Sequence, residues 1–247
     1  MADKNTTAAA APRRMSKRLQ SNLITYAVVI GFFALMTVLE ATGILTNSLA
    51  GQLVPICAYV CMAVSLNLVV GISGELSLGH AGFMSVGAFS GFVAFSLVNG
   101  LINNALLAYV IALVIAAVIA GVAGFVIGIP VMRLRGDYLA IVTLAFGEII
   151  KNILNNLYVG LDGRGLHFSL ADAKALGMQG GTLLINGPQG ATGITKMSTF
   201  AIGIVLVLVT VTVVLNLVNS RTGRAIMSVR DNRIAAESVG INVTKYR

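Results

Sequence analysis

The chain has little charge, no tryptophan and only two cysteines. Charged residues make up 11% of its 247 residues and hydrophobic residues make up 57%, whereas a soluble globular domain carries about 25% charged residues. Because so few polar groups could not cover the surface of a soluble protein, we expect the chain to lie in a lipid membrane. With no Trp, any aromatic belt at the membrane surface must come from six Tyr and ten Phe.

The two cysteines argue against both a disulfide framework and a zinc site. Cys57 and Cys61 lie four residues apart inside one apolar run. A disulfide framework needs loops in an oxidising space, and a zinc site needs more ligands. We therefore expect buried thiols that pack as small apolar side chains.

Motifs for catalysis and nucleotide binding are also absent. The sequence contains no GxxxxGK[ST] phosphate loop, no HExxH and no GxSxG. His80 and His167 are far apart and have no nearby cluster of cysteines or carboxylates. We expect no enzyme active site, no ATPase site and no metal site in this chain.

Long apolar runs predict an all-α polytopic membrane protein with about six transmembrane helices. Each run approaches the roughly 20 residues that an α-helix needs to cross a bilayer. The predicted spans are Leu23–Leu45, Leu49–Val70, Leu76–Val98, Ala105–Ile129, Tyr138–Val159 and Thr199–Val218.

The basic residues predict the orientation of these spans. Five Lys or Arg precede the first span, two follow the fourth and six follow the last, against three in the longest loop. Cytoplasmic loops carry the excess of Lys and Arg, so we expect a cytoplasmic N-terminus. The net charge of +8 is then a signal of membrane topology and not of nucleic-acid binding.

The same reasoning divides the chain into three parts. Residues 1–21 are polar and small, and we expect a disordered cytoplasmic tail. Residues 22–218 form the membrane domain, with a glycine-rich extracytoplasmic loop at about 160–198. This loop is either an ordered lid that contacts a soluble partner, with a short helix near Ala171–Leu176, or a passive connection. Residues 219–247 form a cytoplasmic segment.

Glycines and polar residues interrupt the third predicted span. The stretch GELSLGHAGFMSVGAF, residues 74–89, holds four glycines together with Glu75 and His80. Each glycine costs about 1 kcal/mol in a helix relative to alanine, and broken helices persist in membranes only where they are packed in protein or line water. The stretch predicts either a broken helix near residues 71–82 facing a transport route, or an ordinary helix start with Glu75 near its N-terminus.

The fifth span carries two charges. Glu148, which we expect near the middle of the membrane, lies three residues before Lys151, a spacing at which the side chains can pair. Charges at such a depth face a bundle interior or water. The pair is therefore either structural or part of a gate or transport route.

Small residues predict close helix packing. Gly87 and Gly91 form a GxxxG pair in span three, and Gly124 and Gly128 form another in span four. Such pairs let two helix backbones approach each other in lipid.

The C-terminal segment predicts a short capped helix. Asp231 is a suitable N-cap, Asn232 to Val239 can form two helical turns, and Gly240 suits the left-handed residue that ends them. The helix is too short and too charged to span a membrane. It is well suited to docking into a groove on another protein.

Three motifs carry a resemblance to a known family. RTGRAIMSVRDNRIAAESVGINVTKYR, with Ala235-Ala236-Glu237 before Gly240, resembles the cytoplasmic coupling loop of ABC importer permeases, which is marked by Glu-Ala-Ala followed by Gly. GELSLGHAGFMSVGAF and RGDYLAIVTLAFGEIIKNI resemble the same LivM-like branch of branched-chain amino acid permeases. The likeness extends from about Leu49 onward, and urea and short-amide permeases are similar.

The resemblance implies a permease subunit of an ATP-driven importer in the bacterial plasma (inner) membrane, carrying branched-chain amino acids or similar small polar solutes. The implied partners are two ABC ATPase subunits, a sister permease subunit in a heterodimer, a soluble extracytoplasmic substrate-binding protein and membrane lipid, with no nucleic acid. This chain would bind no cofactor, because ATP and Mg²⁺ would be used by the ATPases. The implied ATPase-coupling residues are Asp231, Arg233, Ala235, Ala236, Glu237 and Gly240. The candidates for the substrate pathway are Ser77, His80, Phe83 and Glu148.

Three other interpretations stay open at the level of sequence. The chain could belong to a urea or short-amide permease, or it could be an ion-driven secondary transporter with Glu148 and His80 as proton carriers. It could also be a membrane scaffold that transports nothing. Members of the family continue past the coupling loop with further spans, so we expect this chain, which ends at Arg247, to be truncated or a fragment.

Overall fold

The computed structural model describes residues 17–102, 104–134, 136–163, 165–178, 181–193 and 198–246. Residues 1–16 of the predicted disordered tail lie outside these ranges. The last part of that tail is helical, because helix α1 extends over Lys17–Ala41.

The membrane part of the chain consists of long apolar helices. After α1 come α2 (Asn47–Asn67), α3 (His80–Leu101), α4 (Ala105–Val131), α5 (Asp137–Asn155) and α6 (Phe200–Asn219). In the described ranges, five of these six helices, all except α5, are long and apolar enough to cross a membrane. Helix α5 has 19 residues and carries three charged side chains. The prediction of a polytopic helical membrane protein with about six spans is confirmed.

The bundle is organised around two helix pairs. Helix α3 packs extensively on α4, and α2 packs on α6. The α2–α6 contact forms an apolar core of Cys57, Ile204, Val207 and Val211. Cys57 is buried and unoxidised and Cys61 is half-buried, so the prediction that the thiols pack as small apolar residues is confirmed.

The two GxxxG pairs differ in their surroundings. A Cβ built on Gly87 would lie 3.5 Å from Ala120 Cβ, and one on Gly91 would lie 3.1 Å from Ala116 Cβ. Gly91 therefore lets α3 approach α4 closely, whereas a methyl group at Gly87 would make an ordinary van der Waals contact. Gly124 and Gly128 have open space where a Cβ would lie, so within the described ranges they make no close helix contact.

The non-helical residues of the glycine-rich stretch are 74–79, and they lie before the third long helix and not inside it. Helix α2 continues as a π-helical turn over Leu68–Ser73, and Gly74, with φ +75°, ends it. The next helix begins at His80 and not at Leu76 as predicted. Residues 74–79 form a non-helical link between α2 and α3. We call the end of α2, this link and the start of α3 the broken helix; that it faces a transport route stays a prediction.

The long loop that we predicted to be extracytoplasmic contains a sheet that the sequence did not predict. Strands β1 (Tyr158–Asp162), β2 (Gly165–Ser169) and β3 (Thr182–Asn186) pair antiparallel in the order β2-β1-β3. The short helix expected near Ala171–Leu176 is confirmed as a 3-10 turn at Ala173–Leu176, and a second 3-10 turn follows β3 at Gly187–Gln189.

The prediction that span five continues to Val159 is wrong. Helix α5 ends at Asn155, and Asn156 closes it by donating from Nδ2 to the Asn152 carbonyl at 2.9 Å. Tyr158 and Val159 belong instead to β1, where Val159 is 1% exposed. Aromatic and β-branched side chains suit a half-buried strand, and the preceding asparagines stop the helix.

The C-terminal segment folds into three short helices, α7 (Arg221–Asp231), α8 (Arg233–Ser238) and α9 (Val243–Tyr246). Ser220 caps α7 by accepting from the Gly223 amide at 3.1 Å. Helix α7 was not predicted.

The N-cap of α8 differs from the prediction. Asn232 Oδ1 accepts from the Ala235 amide at 3.1 Å and caps the helix. Asp231 is the last residue of α7 and pairs with Arg230 at 2.7 Å, so its assignment as the cap was wrong by one residue. Gly240, with φ +84°, ends the helix as predicted, and the Ile241 amide donates to the Ala236 carbonyl at 3.0 Å.

Candidate functional site

The non-helical link packs directly on α5, and glycine makes this contact possible. A methyl group on Gly79 would overlap the Thr143 carbonyl, and a Cβ on Gly147 would lie 3.3 Å from Gly79 Cα. A Cβ on Gly82 would lie 3.2 Å from Gly147 Cα. Three glycines therefore allow two backbones to touch where the broken helix meets α5.

A buried threonine holds the same junction together. Thr143 is 9% exposed, its Oγ1 donates to the Ala140 carbonyl at 2.9 Å, and it accepts from the Leu78 amide at 3.1 Å. This bond satisfies a backbone donor that the broken helix leaves without a helical partner. Thr143 was not among the residues predicted from the sequence. Its spacing of four residues from Gly147 in an apolar helix is a small-residue signal that could have found it.

A groove of about 300 Å³ lies between α5 and the start of α3. Its polar residues are Ser85 on α3 and Glu148, Lys151 and Asn155 on α5. Glu148 and Lys151 pair at 3.3 Å, and their side chains are 57% and 63% exposed. The ion pair predicted from the i, i+3 spacing is present, and it lies open to the groove and not in the protein interior.

A second, apolar cavity of about 440 Å³ adjoins this groove. Phe89 and Leu154 line both spaces. Farther along α3 its wall includes Ala94 and Val98, and the sheet closes it with Val159 and Ile185. The groove and the cavity therefore follow one another along α3, from the broken helix toward the sheet.

The four residues predicted for the substrate pathway are not all brought together. Of these, Glu148 alone lines the groove. His80 faces α2, where its Nε2 lies 2.8 Å from Ser65 Oγ. In the described part of the chain, Ser77, His80 and Phe83 line neither the groove nor the apolar cavity.

Helix α8 presents most of the predicted coupling residues. Arg233, Ala235, Glu237 and Gly240 are exposed, as is Asp231. Ala236 is 3% exposed and lies beneath the helix, which packs on α7 and α9. Two residues outside the predicted set, Ile234 and Val239, are 82% and 75% exposed, so the helix shows an apolar surface to its surroundings.

Arg230 connects this segment to the broken helix. Its Nη1 donates to the Gly71 carbonyl at 2.6 Å, and its Nη2 and Nε donate to Asp231 Oδ1 at 2.7 and 2.9 Å. A Cβ on Gly74 would lie 2.5 Å from Arg230 Cγ. The guanidinium therefore caps a carbonyl in the last turn of the π-helical segment, and its stem packs on the glycine that ends that segment.

A polar cavity of about 410 Å³ lies beside this connection. Its wall includes Glu75 from the link, Asp137 at the start of α5, Arg233 from α8 and Tyr246 from α9. The cavity brings the link, α5 and the C-terminal segment to one place. Among the residues described, no three His, Cys, Asp or Glu side chains are grouped closely enough to hold a metal ion.

These features define a polytopic helical membrane protein: a helical bundle with a broken helix, a charged groove beside the non-helical link, and an exposed short helix linked to it. Over residues 48–247 the chain matches the model of the family described as the permease component of branched-chain amino acid transport systems. The chain belongs to this family, which is a family of transport components and not of enzymes.

Two relatives are described as the high-affinity branched-chain amino acid transport system permease protein LivM. The protein of Salmonella typhimurium (strain LT2) is 33% identical and that of Escherichia coli (strain K12) is 34% identical, each over 199 residues. Each match covers 76% of this chain and 45% of the relative, so the chain spans less than half the length of these proteins. No solved structure gives a significant match.

Proposed function

We propose that this chain is the membrane-spanning permease subunit of an ATP-driven importer of branched-chain amino acids or similar small polar solutes. Membership of the permease family supports the transport class. The observation that carries the mechanism is the contact between Arg230 and the Gly71 carbonyl, because it joins an exposed docking helix to the broken helix of the transport bundle.

In this proposal the N-terminus and α8 lie in the cytoplasm. Two ATPase subunits bind and hydrolyse ATP with Mg²⁺, and each pair of transport subunits includes a sister permease. A soluble binding protein delivers the solute to the outer face. The sheet β2-β1-β3 is the natural contact surface there, since Phe168 and Leu170 in and after β2 are 64% and 66% exposed.

The coupling is mechanical. The ATPase binds the exposed surface of α8 and its C-terminal end, which includes Ile234, Glu237 and Val239. Movement of α7 and α8 then shifts the Gly71 carbonyl through Arg230. The link at residues 74–79 passes the movement to α5 through the bond between Leu78 and Thr143. Packed elements with two discrete arrangements are the usual basis of such switching.

Replacing Glu237 and Gly240 together by alanine tests this coupling. Gly240 has φ +84°, a conformation that costs a non-glycine residue about 1–2 kcal/mol, and Glu237 lies on the exposed surface of α8. We expect ATP-dependent uptake into membrane vesicles to be lost while the protein stays inserted.

The matched control is the pair Glu40→Ala and Gly43→Ala at the end of α1. It also combines an exposed acid with a glycine of positive φ, here +71°, but it lies far from α8 in sequence. Uptake should survive in this control. Normal uptake in the Glu237 and Gly240 double variant would contradict the coupling role of α8.

The alternative, an ion-driven secondary transporter, requires a different arrangement of residues. Proton transfer between His80 and Glu148 would require both side chains to line the same transport route. In the structure His80 lies within hydrogen-bond distance of Ser65 on α2, whereas Glu148 lines the groove beside α5. Uptake that persists after ATP depletion and stops when the proton gradient is dissipated would favour that alternative.

A further inference from the structure

We propose that the groove beside α5 binds the transported solute as a zwitterion. Glu148 would take the ammonium group of an α-amino acid, Lys151 would take its carboxylate, and the adjoining cavity would take its aliphatic side chain. This proposal rests on the proposed function and assigns it a site.

The charge pair is the first observation. Glu148 Oε2 and Lys151 Nζ lie 3.3 Å apart on one face of α5, both residues line the groove, and more than half of each side chain is exposed. An α-amino acid carries one positive and one negative group on the same carbon. It can therefore exchange the intramolecular pair for two charge-assisted hydrogen bonds, which are stronger than neutral ones.

The wall of the groove formed by α3, which faces Glu148 and Lys151 on α5, also offers a polar group to the solute's head group. Ser85 on α3 lines it, and its Oγ donates to the Gly82 carbonyl at 2.7 Å. The backbones at Gly82 and Gly147 are in close contact at the inner end. The head group would thus sit between α3 and α5, immediately beside the broken helix.

The apolar cavity is the second observation. Its volume of about 440 Å³ lies in the range of about 300–1,000 Å³ that small-molecule sites occupy. Among the described residues that line it, Ser90 is the one with a polar side chain, and the others are apolar. Because Phe89 and Leu154 line both spaces, the two are neighbours, and in this proposal the solute's side chain extends from the head group at Glu148 and Lys151 into the cavity.

This arrangement predicts which solutes bind. A branched aliphatic amino acid satisfies both charges and fills the cavity. Urea and short amides carry neither charge, and they would leave the Glu148–Lys151 pair intact. The site therefore favours the amino acid over the amide class.

Thiol protection tests the site in the assembled transporter. The chain would carry Ser85→Cys in a background of Cys57→Ala and Cys61→Ala, and membrane vesicles would be treated with a maleimide. We expect L-leucine to slow labelling of position 85. L-leucinamide, which lacks the carboxylate, and 4-methylpentanoate, which lacks the ammonium group, should need at least about tenfold higher concentrations, since each loses one hydrogen bond to a charged group.

Two variants locate the charges. Glu148→Gln should remove the advantage of leucine over 4-methylpentanoate, and Lys151→Met should remove its advantage over leucinamide. Glu40→Gln, which neutralises an exposed acid on another helix, should change neither. Membrane insertion is measured in parallel by the amount of chain in the vesicles.

Cavity-filling variants locate the side chain. Ala94→Phe should abolish protection by leucine and preserve protection by alanine. Ala94 is 7% exposed, so Val98→Phe, at a half-buried position in the same wall, serves as a second variant. Val122→Phe, on the exposed face of α4, is the control, and leucine should protect position 85 in this variant as well as it does in the parent.

The outcomes separate this site from the proposed function. If leucine gives no protection, or if leucinamide and 4-methylpentanoate protect as well as leucine, the zwitterion site is wrong even where ATP-driven uptake continues. If leucine protects as expected but no ATP-driven uptake is found, the site stands and the importer mechanism fails.

Discussion

At the scale of single residues, glycine and threonine determine how the broken helix meets α5. Gly79 has no room for a methyl group against the Thr143 carbonyl, and Thr143 supplies the hydroxyl that accepts from Leu78. The sequence favoured either a broken helix or an ordinary helix start in this stretch, because glycines weaken helices. It could not show that the same glycines contact a second helix, since that contact depends on which helix packs there.

Gly79→Ala should destabilise the folded permease. The added methyl overlaps a backbone carbonyl that cannot move independently of α5, and overpacking of this kind costs about 1–3 kcal/mol. The fraction of detergent-solubilised protein that survives heating should fall.

Gly31→Ala is the matched control, since a Cβ at Gly31 meets nothing within 4 Å. Alanine is favoured over glycine in a helix by about 1 kcal/mol, so this variant should be no less stable than the parent. Equal stability of the Gly79 and Gly31 variants would contradict the close contact at Gly79.

At the scale of elements, the helices were predictable and their ends were not. Apolar runs of about 20 residues leave few alternatives in lipid, which is why six helices were found in order. The ends depend on short polar residues. Asn156 stops α5 before Tyr158, and Asn232 and not Asp231 caps α8, although either residue type would serve as a cap.

The sheet was missed for a different reason. Its strands YVGLD, GLHFS and TLLIN are five residues each, and two of them contain glycine. Short runs of this kind have little periodicity. Pairing across the loop, as between Gly160 and His167, is a tertiary property that a single strand does not reveal.

Arg230→Met should uncouple ATP hydrolysis from transport. It removes the donor to the Gly71 carbonyl and the pair with Asp231, so movement of α7 no longer reaches the break. We expect uptake to fall at least about tenfold, as the loss of a charged hydrogen bond of about 1.5–3 kcal/mol implies, while ATP hydrolysis by the purified complex continues.

Arg224→Met, an exposed position on the same helix, should leave the ratio of uptake to hydrolysis unchanged. A normal ratio in the Arg230 variant, or an equal loss in both variants, would show that Arg230 does not transmit the movement.

At the scale of the whole molecule, the two ends of the helix bundle carry different secondary structure. One end carries the sheet, and the other carries α7, α8 and α9 with their basic side chains. Large apolar residues such as Leu35 on α1 and Val126 on α4 are 56% and 62% exposed, as helix faces against lipid require. Of the residues predicted to contact a partner, Ala236 is the one buried in the chain itself, because a sequence motif does not distinguish the packed face of a short helix from its free face.

The most direct test of the central claim is to crosslink α8 to its proposed neighbour. A cysteine at Ser238, which is exposed on α8, would be introduced into the chain with Cys57→Ala and Cys61→Ala, and inside-out membrane vesicles of the assembled transporter would be treated with a bifunctional maleimide. We predict a covalent adduct with the ATPase subunit, formed at a rate that changes when ATP is bound. Labelling of position 238 by a membrane-impermeant thiol reagent from the outer face of intact cells, with no ATPase adduct, would contradict the claim.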